Sequence, residues 1–310
     1  MRFDIITLFP ELFAPFMASG VTRRAFASGQ VDVRLWNPRD HAEGNYRRVD
    51  DRPFGGGPGM VMLAEPLARC LAHIREQRSA GETPADPPGT PAPLLLFSPV
   101  GEKLSHPVVA QWAHSAGAIL LCGRYEGIDQ RFIDAEVTHQ LSLGDFVLSG
   151  GEIPAMALLD AVARLQPGVL NDEGSHQFDS FNPALDGLLD CPHYTRPEVW
   201  RGQGVPAALL SGHHAQIAQW RRHQSLQYTA RLRPELIATA RAAGQLSRQD
   251  EAVLARLPER TDCSPRLGKQ VSARCLTMCL LELPSPRGLS RAVPAALVLP
   301  VAQPQPQPLR

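Results

Sequence analysis

From residue 3 to residue 165, short apolar runs alternate with segments of helical spacing, and this alternation restricts the possible folds more than any other feature. The runs "FDIITLF" (3–9), "QVDVRLW" (30–36), "LLLFSP" (94–99), "AILLCG" (118–123) and "THQLSLGDFVLSGG" (138–151) read as strands. Between them, "PELFAPFMASGVTRRAFASG" (10–29), "AEPLARCLAHIREQR" (64–78), "HPVVAQWAHSAG" (106–117), "IDQRFIDAE" (128–136) and "EIPAMALLDAVARL" (152–165) repeat apolar residues at helical intervals. Strands apolar on both faces and joined by helices belong in a parallel sheet covered on both sides, so the expected class is α/β.

The alternation stops near residue 170. Residues 1–170 are therefore expected to form one domain, interrupted by a Pro/Gly-rich exposed loop at 79–93. The polar stretch 171–187 reads as a flexible linker. Residues 188–257, with "GHHAQIAQWRRHQSLQYTARL", "RPELIATARAAG" and "SRQDEAVLARL", read as a smaller, mostly helical domain. Residues 258–310 lose helical pattern and end in "PVAQPQPQPLR", the composition of a disordered tail.

With 310 residues, 44% apolar and 20% charged, the chain has ample material for a core. Its formal net charge is zero, so a surface for nucleic acid must be local. The cysteines at 70, 122, 191, 263, 275 and 279 are scattered, which suits reduced thiols in the cytoplasm. No signal-peptide pattern and no apolar run of membrane-spanning length is present, and no membrane partner is expected.

Several common chemistries are excluded by spacing. "RPFGGGPGM" (52–60) could cradle a phosphate, but Met60 follows Gly59 where a P-loop needs lysine. No dinucleotide fingerprint follows a strand, and no G-x-S-x-G elbow occurs. Cys275-x₃-Cys279 and Cys191-Pro-His193 lack the second pair that a zinc site requires.

What remains is a set of strand-to-loop junctions, "LFSPVGEK" (96–103), "LLCGRYEGIDQR" (120–131) and "LSLGDFVLSGGE" (141–152). Ligands of open α/β sheets bind beyond the carboxyl ends of strands, so these ends would wall one pocket with backbone. Arg124, Tyr125, Glu126, Asp129 and Asp145 cluster in the same loops. Any one junction alone could be an ordinary connection, but the three together are less readily explained so. Separately, no acidic residue lies between Glu198 and Glu235, whereas Arg201, Arg221, Arg222, Arg231 and Arg233 do, with Trp200, Trp220 and Tyr228. Arginine interleaved with aromatics suits an RNA backbone and splayed bases, although a solvated helix face would show the same arginines.

"VDDRPFGGGPGM", "CGRYEGID", "GDFVLSGGE" and "LLDCPHYTRPE" together closely resemble the bacterial tRNA (guanine-N1)-methyltransferases, of the SPOUT class. The similarity runs in order to about residue 257; the 79–93 loop looks expanded, and the tail has no counterpart. The resemblance implies a parallel-sheet domain with a deep trefoil knot, followed by a smaller helical domain. It also implies a cytoplasmic homodimer with its site at the interface, and methyl transfer from S-adenosylmethionine to N1 of guanosine 37 in tRNA, read with guanosine 36. Matching cofactor positions are Ser98, Pro99, Gly123, Tyr125 and Glu126, the span Leu143, Gly144, Asp145, Phe146, Val147 and Leu148, and Gly150 and Gly151. Asp179 matches the general base and Arg164 the residue that offsets charge on the guanine. Asp50 matches a position reaching the base from the partner, and Arg221 and Arg222 fall in the part that holds the anticodon stem-loop. Magnesium is implied for the reaction, Glu126 being the carboxylate expected near the methionine end, but its ligands cannot be assigned. Phe178 stands where bacterial relatives commonly carry a polar residue.

The residue types suit that chemistry. N1 of guanine bears a proton that a base must remove, and negative charge then grows toward O6, where a cation stabilises it. Two rival readings are a non-catalytic RNA-binding protein and a nucleotide-dependent enzyme that uses "FGGGPG" for phosphate.

Overall fold

The computed structural model describes residues 1–80, 90–170 and 177–257, which belong to one compact unit, Met1–Pro258. The expected tail and most of the 79–93 loop, with 171–176 of the linker, lie outside the described residues. In chain order the first elements are β1 (Arg2–Ile6), α1 (Phe13–Ala18), α2 (Arg23–Ala27), β2 (Asp32–Trp36), β3 (Asp50–Asp51), β4 (Val61–Met62) and α3 (Ala64–Ala80). Next come β5 (Leu94–Lys103), α4 (His106–Ala113), β6 (Gly117–Leu121), β7 (Gly127–Ile128), α5 (Gln130–Glu136), β8 (His139–Ser142) and α6 (Glu152–Ala163). A short hairpin, β9 (Val199–Trp200) and β10 (Gln203–Gly204), precedes α7 (Ala207–Leu210), α8 (His214–Leu232), α9 (Pro234–Ala242) and α10 (Arg248–Leu254).

A five-stranded sheet in the order β2-β1-β6-β5-β8 is parallel throughout. Successive residues of its strands feed opposite faces, as the pleat requires. Phe3, Ile5, Leu95, Ala118 and Leu120 pack with Leu158, Leu159 and Val162 of α6 and Trp112 of α4. Ile6, Leu94, Leu96, Ile119 and Leu121 pack on the other face with Leu67, Leu71 and Ile74 of α3 and Phe132 of α5. The expected parallel sheet, buried on both sides, is therefore present. Residues 188–257 hold a separate apolar cluster of Leu188, Leu226, Ile237 and Ala240.

The structure departs from the expected elements in three places. The stretch 10–29 is not one helix: α1 ends at Ala18, Ser19 is extended, and α2 begins at Arg23. The apolar run at 146–148 is not strand either, because β8 stops at Ser142. Ser142 Oγ donates to the Gly144 carbonyl and accepts from the Gly144 amide, curling the chain off the sheet. Phe146 and Val147 are then 55% and 84% exposed. β5, conversely, runs past Pro99 to Lys103, with an irregularity between Phe97 and Glu102 where it pairs with β8.

Candidate functional site

The carboxyl ends of β5, β6 and β8 meet in a cleft of about 260 Å³. Leu96, Ile128, Leu141 and Pro154 make its walls apolar. Ser98 and Pro99 enter from the bulged part of β5, and Gly123, Tyr125 and Glu126 from the loop after β6. Leu143, Gly144, Phe146, Val147, Leu148, Gly150 and Gly151 close the remaining side. The three junctions singled out in the sequence thus form one site. Asp145 does not line it; its carboxylate turns outward to Lys103 Nζ, 2.6 Å away. Tyr125 adopts a φ of 61°, a conformation a bulky residue holds only where its surroundings impose it, and its hydroxyl accepts from Arg39 Nη2 at 3.4 Å.

The paired glycines answer to close approach. A β-carbon on Gly151 would stand 2.7 Å from the Cys122 Cα, and one on Gly150 would overlap the Arg124 guanidinium. The Gly151 amide donates to the Gly123 carbonyl at 3.0 Å, fixing the end of the cleft loop to the end of β6. Beneath this contact Cys122 is fully buried; desolvation drives its thiol well above the ordinary value, with the Glu152 charge adding to the rise. The "FGGGPG" loop has a neighbouring place. The Glu126 amide donates to the Met60 carbonyl at 2.9 Å, and β4 pairs with β7, so Gly59 packs on the Glu126 side chain.

Sequence reasoning passed over the groups that hold these loops. Glu152, in the first turn of α6 and 1% exposed, accepts from Thr7 Oγ1 at 2.8 Å and pairs with Arg124 Nη2 at 2.8 Å. No local signal marks this carboxylate: it is the packing of Gly150 and Gly151, visible only in the fold, that turns it away from solvent.

At the other end of α6, Arg164 and Asp179 come together, Nη1 to Oδ2 at 2.7 Å, both partly exposed. Phe178, beside the carboxylate, faces solvent. Asp50 lies in β3, half-buried and paired in register with Met62. Among the described residues no group of three or more His, Cys, Asp or Glu side chains is arranged to hold a metal ion.

The arginine-rich region divides by environment. Arg222 turns inward, its Nε and Nη2 donating to Asp250 and its Nη2 also to Asp186 at 2.7 Å. This hydrogen bonding raises its pKa and, led by the Arg222 contact, holds the Asp250 carboxyl down at about 2. Arg221 is exposed. Arg201 lies over the Trp200 ring at 4.7 Å and Arg231 over Tyr228 at 5.2 Å, while Tyr194 meets Trp220 edge-on at 6.1 Å.

Residues 1–239 match the sequence family described as tRNA (Guanine-1)-methyltransferase TrmD. Curated relatives bearing the name tRNA (guanine-N(1)-)-methyltransferase include proteins of Paracidovorax citrulli, Polaromonas and Bordetella parapertussis. The first is 75% identical over 83% of this chain and 98% of its own length. The second is 70% identical over 84% and 98% respectively. The third is 56% identical over 83% and 98%.

Proposed function

The chain belongs to the tRNA (guanine-N1)-methyltransferase family, and on that premise we propose that it transfers the methyl group of S-adenosylmethionine to N1 of guanosine 37 in tRNA. The observation that carries the chemistry is the 2.7 Å pairing of Arg164 with Asp179. The N1–H and O6 groups of guanine are neighbours on one edge of the base. An adjacent carboxylate and guanidinium complement that edge, one accepting the proton and the other donating to the oxygen. Without RNA, the two side chains compensate each other.

The cleft suits the donor. Its apolar walls fit a flat heterocycle, and the backbone around Gly123, Gly150 and Gly151, bare of side chains, allows main-chain groups to reach its polar edge. When bound there, S-adenosylmethionine supplies a methyl group activated by its sulfonium. The residues of the cleft hold it in line and exclude water. For magnesium, Glu126 is the carboxylate at the cleft that would contribute, with water and substrate filling the other positions.

Dimensions support a site shared between two copies of the chain. The cleft receives Gly151 and Pro154 at the start of α6, whereas Arg164 caps its end. A 12-residue helix rises about 18 Å, further than one side chain reaches. Donor and base would therefore meet across a homodimer, the cleft of one protomer facing the Arg164–Asp179 pair of its partner. Exposed Leu12, Val21 and Ile153 supply apolar surface for that contact. The anticodon stem-loop would meet Arg201, Arg221 and Arg231 with their aromatic neighbours, Arg222 being engaged internally. No helix among the described residues is long and apolar enough to cross a membrane; the proposed place of action is the cytoplasm, with its tRNA.

The test is transfer of labelled methyl from S-adenosylmethionine to a transcript with guanosines at 36 and 37. Label at N1 of guanosine 37, lost when that base is replaced, is the expected result. Donor binding without transfer to any tRNA would favour the non-catalytic reading.

A further inference from the structure

We propose that Glu152 is a positioning residue for the donor, acting through Arg124 to hold the two walls of the cleft at their working separation. The inference rests on the cleft being the donor site. Glu152 does not itself line the cleft, yet the loop after β6 and the 149–151 turn are joined through it. Its Oε1 accepts from Thr7 Oγ1, which in turn accepts from the Phe9 amide at 3.0 Å, anchoring the carboxylate to the end of β1. Its Oε2 faces Arg124 Nη2. Arg124 then extends Nη1 to the Ser149 carbonyl at 3.1 Å and to its hydroxyl at 3.4 Å. The guanidinium is sandwiched between Gly150, which leaves it room only by lacking a side chain, and the Phe9 ring, 4.5 Å from Cζ.

The Ser149 carbonyl is thereby held to the loop after β6 through one guanidinium, and that guanidinium is ion-paired, outside hydrogen-bond geometry, with one buried carboxylate. A planar fork with fixed donors is the side chain suited to such a strut, and its orientation is set by the acid behind it. Removing the acid's charge leaves Arg124 free to swing toward solvent, since it is partly exposed already. The 149–151 backbone then loses its side-chain tie to the opposite wall and keeps only the Gly151 amide to Gly123 carbonyl bond, while the sheet beneath is untouched. A second-layer group of this kind sets how well a site is preorganised without meeting the ligand.

The experiment compares wild type with Glu152→Gln, Arg124→Lys, the double variant, and the milder Thr7→Val, each as the full chain. Glu152→Gln preserves shape and the Thr7 contact but removes the charge. Donor affinity is read by calorimetry with S-adenosylmethionine, and mobility by hydrogen exchange at the Ser149–Gly151 amides in protein without donor. Expected are a roughly tenfold weaker Kd for each single variant, no further weakening in the double variant, faster exchange confined to 149–151, and unchanged tRNA affinity. Thr7→Val should show the same pattern at smaller amplitude. A lowered melting temperature with donor affinity within twofold of wild type would make Glu152 a merely structural residue and overturn the proposal, as would additive losses in the double variant. If wild type itself binds no donor, the cleft assignment fails first and the positioning role with it.

Discussion

A β-carbon added at Gly151 would meet the Cys122 Cα at 2.7 Å, and neither backbone can yield without opening the contact between the cleft loop and β6. Gly151→Ala is therefore expected to cost about 1–3 kcal/mol of stability, as overpacked sites do, and to weaken donor binding; thermal melting and calorimetry check the two together. Asp179 presents the converse case, since it lies away from the cleft in its own chain. Asp179→Ala should bind the donor as wild type does while kcat falls on the order of 10²–10⁴-fold, the usual worth of a positioned proton acceptor. A rate within a few-fold of wild type would remove Asp179 from its role. Nothing in "HQFDSF" marks this aspartate chemically; its pairing with Arg164 depends on where a helix end and a returning loop meet.

The helical region is held by polar as well as apolar contacts. Ser247 and Asp250 form a reciprocal cap at the start of α10, and Arg222 joins that cap to Asp186 on the preceding loop. Because the folded Asp250 carboxyl sits at about 2 against an ordinary 3.8, its pairing stabilises the fold above about pH 4, and that contribution is lost as pH falls toward 2. Arg222→Met should lower stability by roughly 2 kcal/mol at neutral pH and flatten the acid side of the stability curve; an unchanged acid profile in denaturant titrations would contradict this. The pairing of β5 with β8 depends on equally local contacts. Gly101, in the bulge of β5, passes so near β8 that a β-carbon there would lie 2.5 Å from the Gln140 carbonyl carbon. The trefoil knot that the family resemblance implies is nearly absent from ordinary folds, and strand periodicity carries no trace of it.

The proposed two-protomer site makes a prediction that no single chain can satisfy. At donor concentrations well below the raised Kd of Gly151→Ala, that variant and Asp179→Ala would each impair every site of their own homodimer. In a mixed dimer the intact cleft of one subunit faces the intact Arg164–Asp179 pair of the other. Co-expression should restore about a quarter of wild-type activity, since half the dimers are mixed and each keeps one whole site; no recovery would place both halves within one chain. The parallel sheet and its helices were legible from the order of residues, because burial on both faces writes itself into strand composition at a period that needs no tertiary information. The cleft was legible too, from small residues gathered at strand ends. Glu152 and Thr7 were not, nor was the pairing of Arg124 with Glu152 or the inward turn of Arg222. A charged side chain looks alike in sequence whether it meets water or a buried partner, and which it meets depends on segments 145 residues apart, as for Thr7 and Glu152. Local pattern records the surface each residue would rather be in; the folded chain decides which charges are brought out of water together.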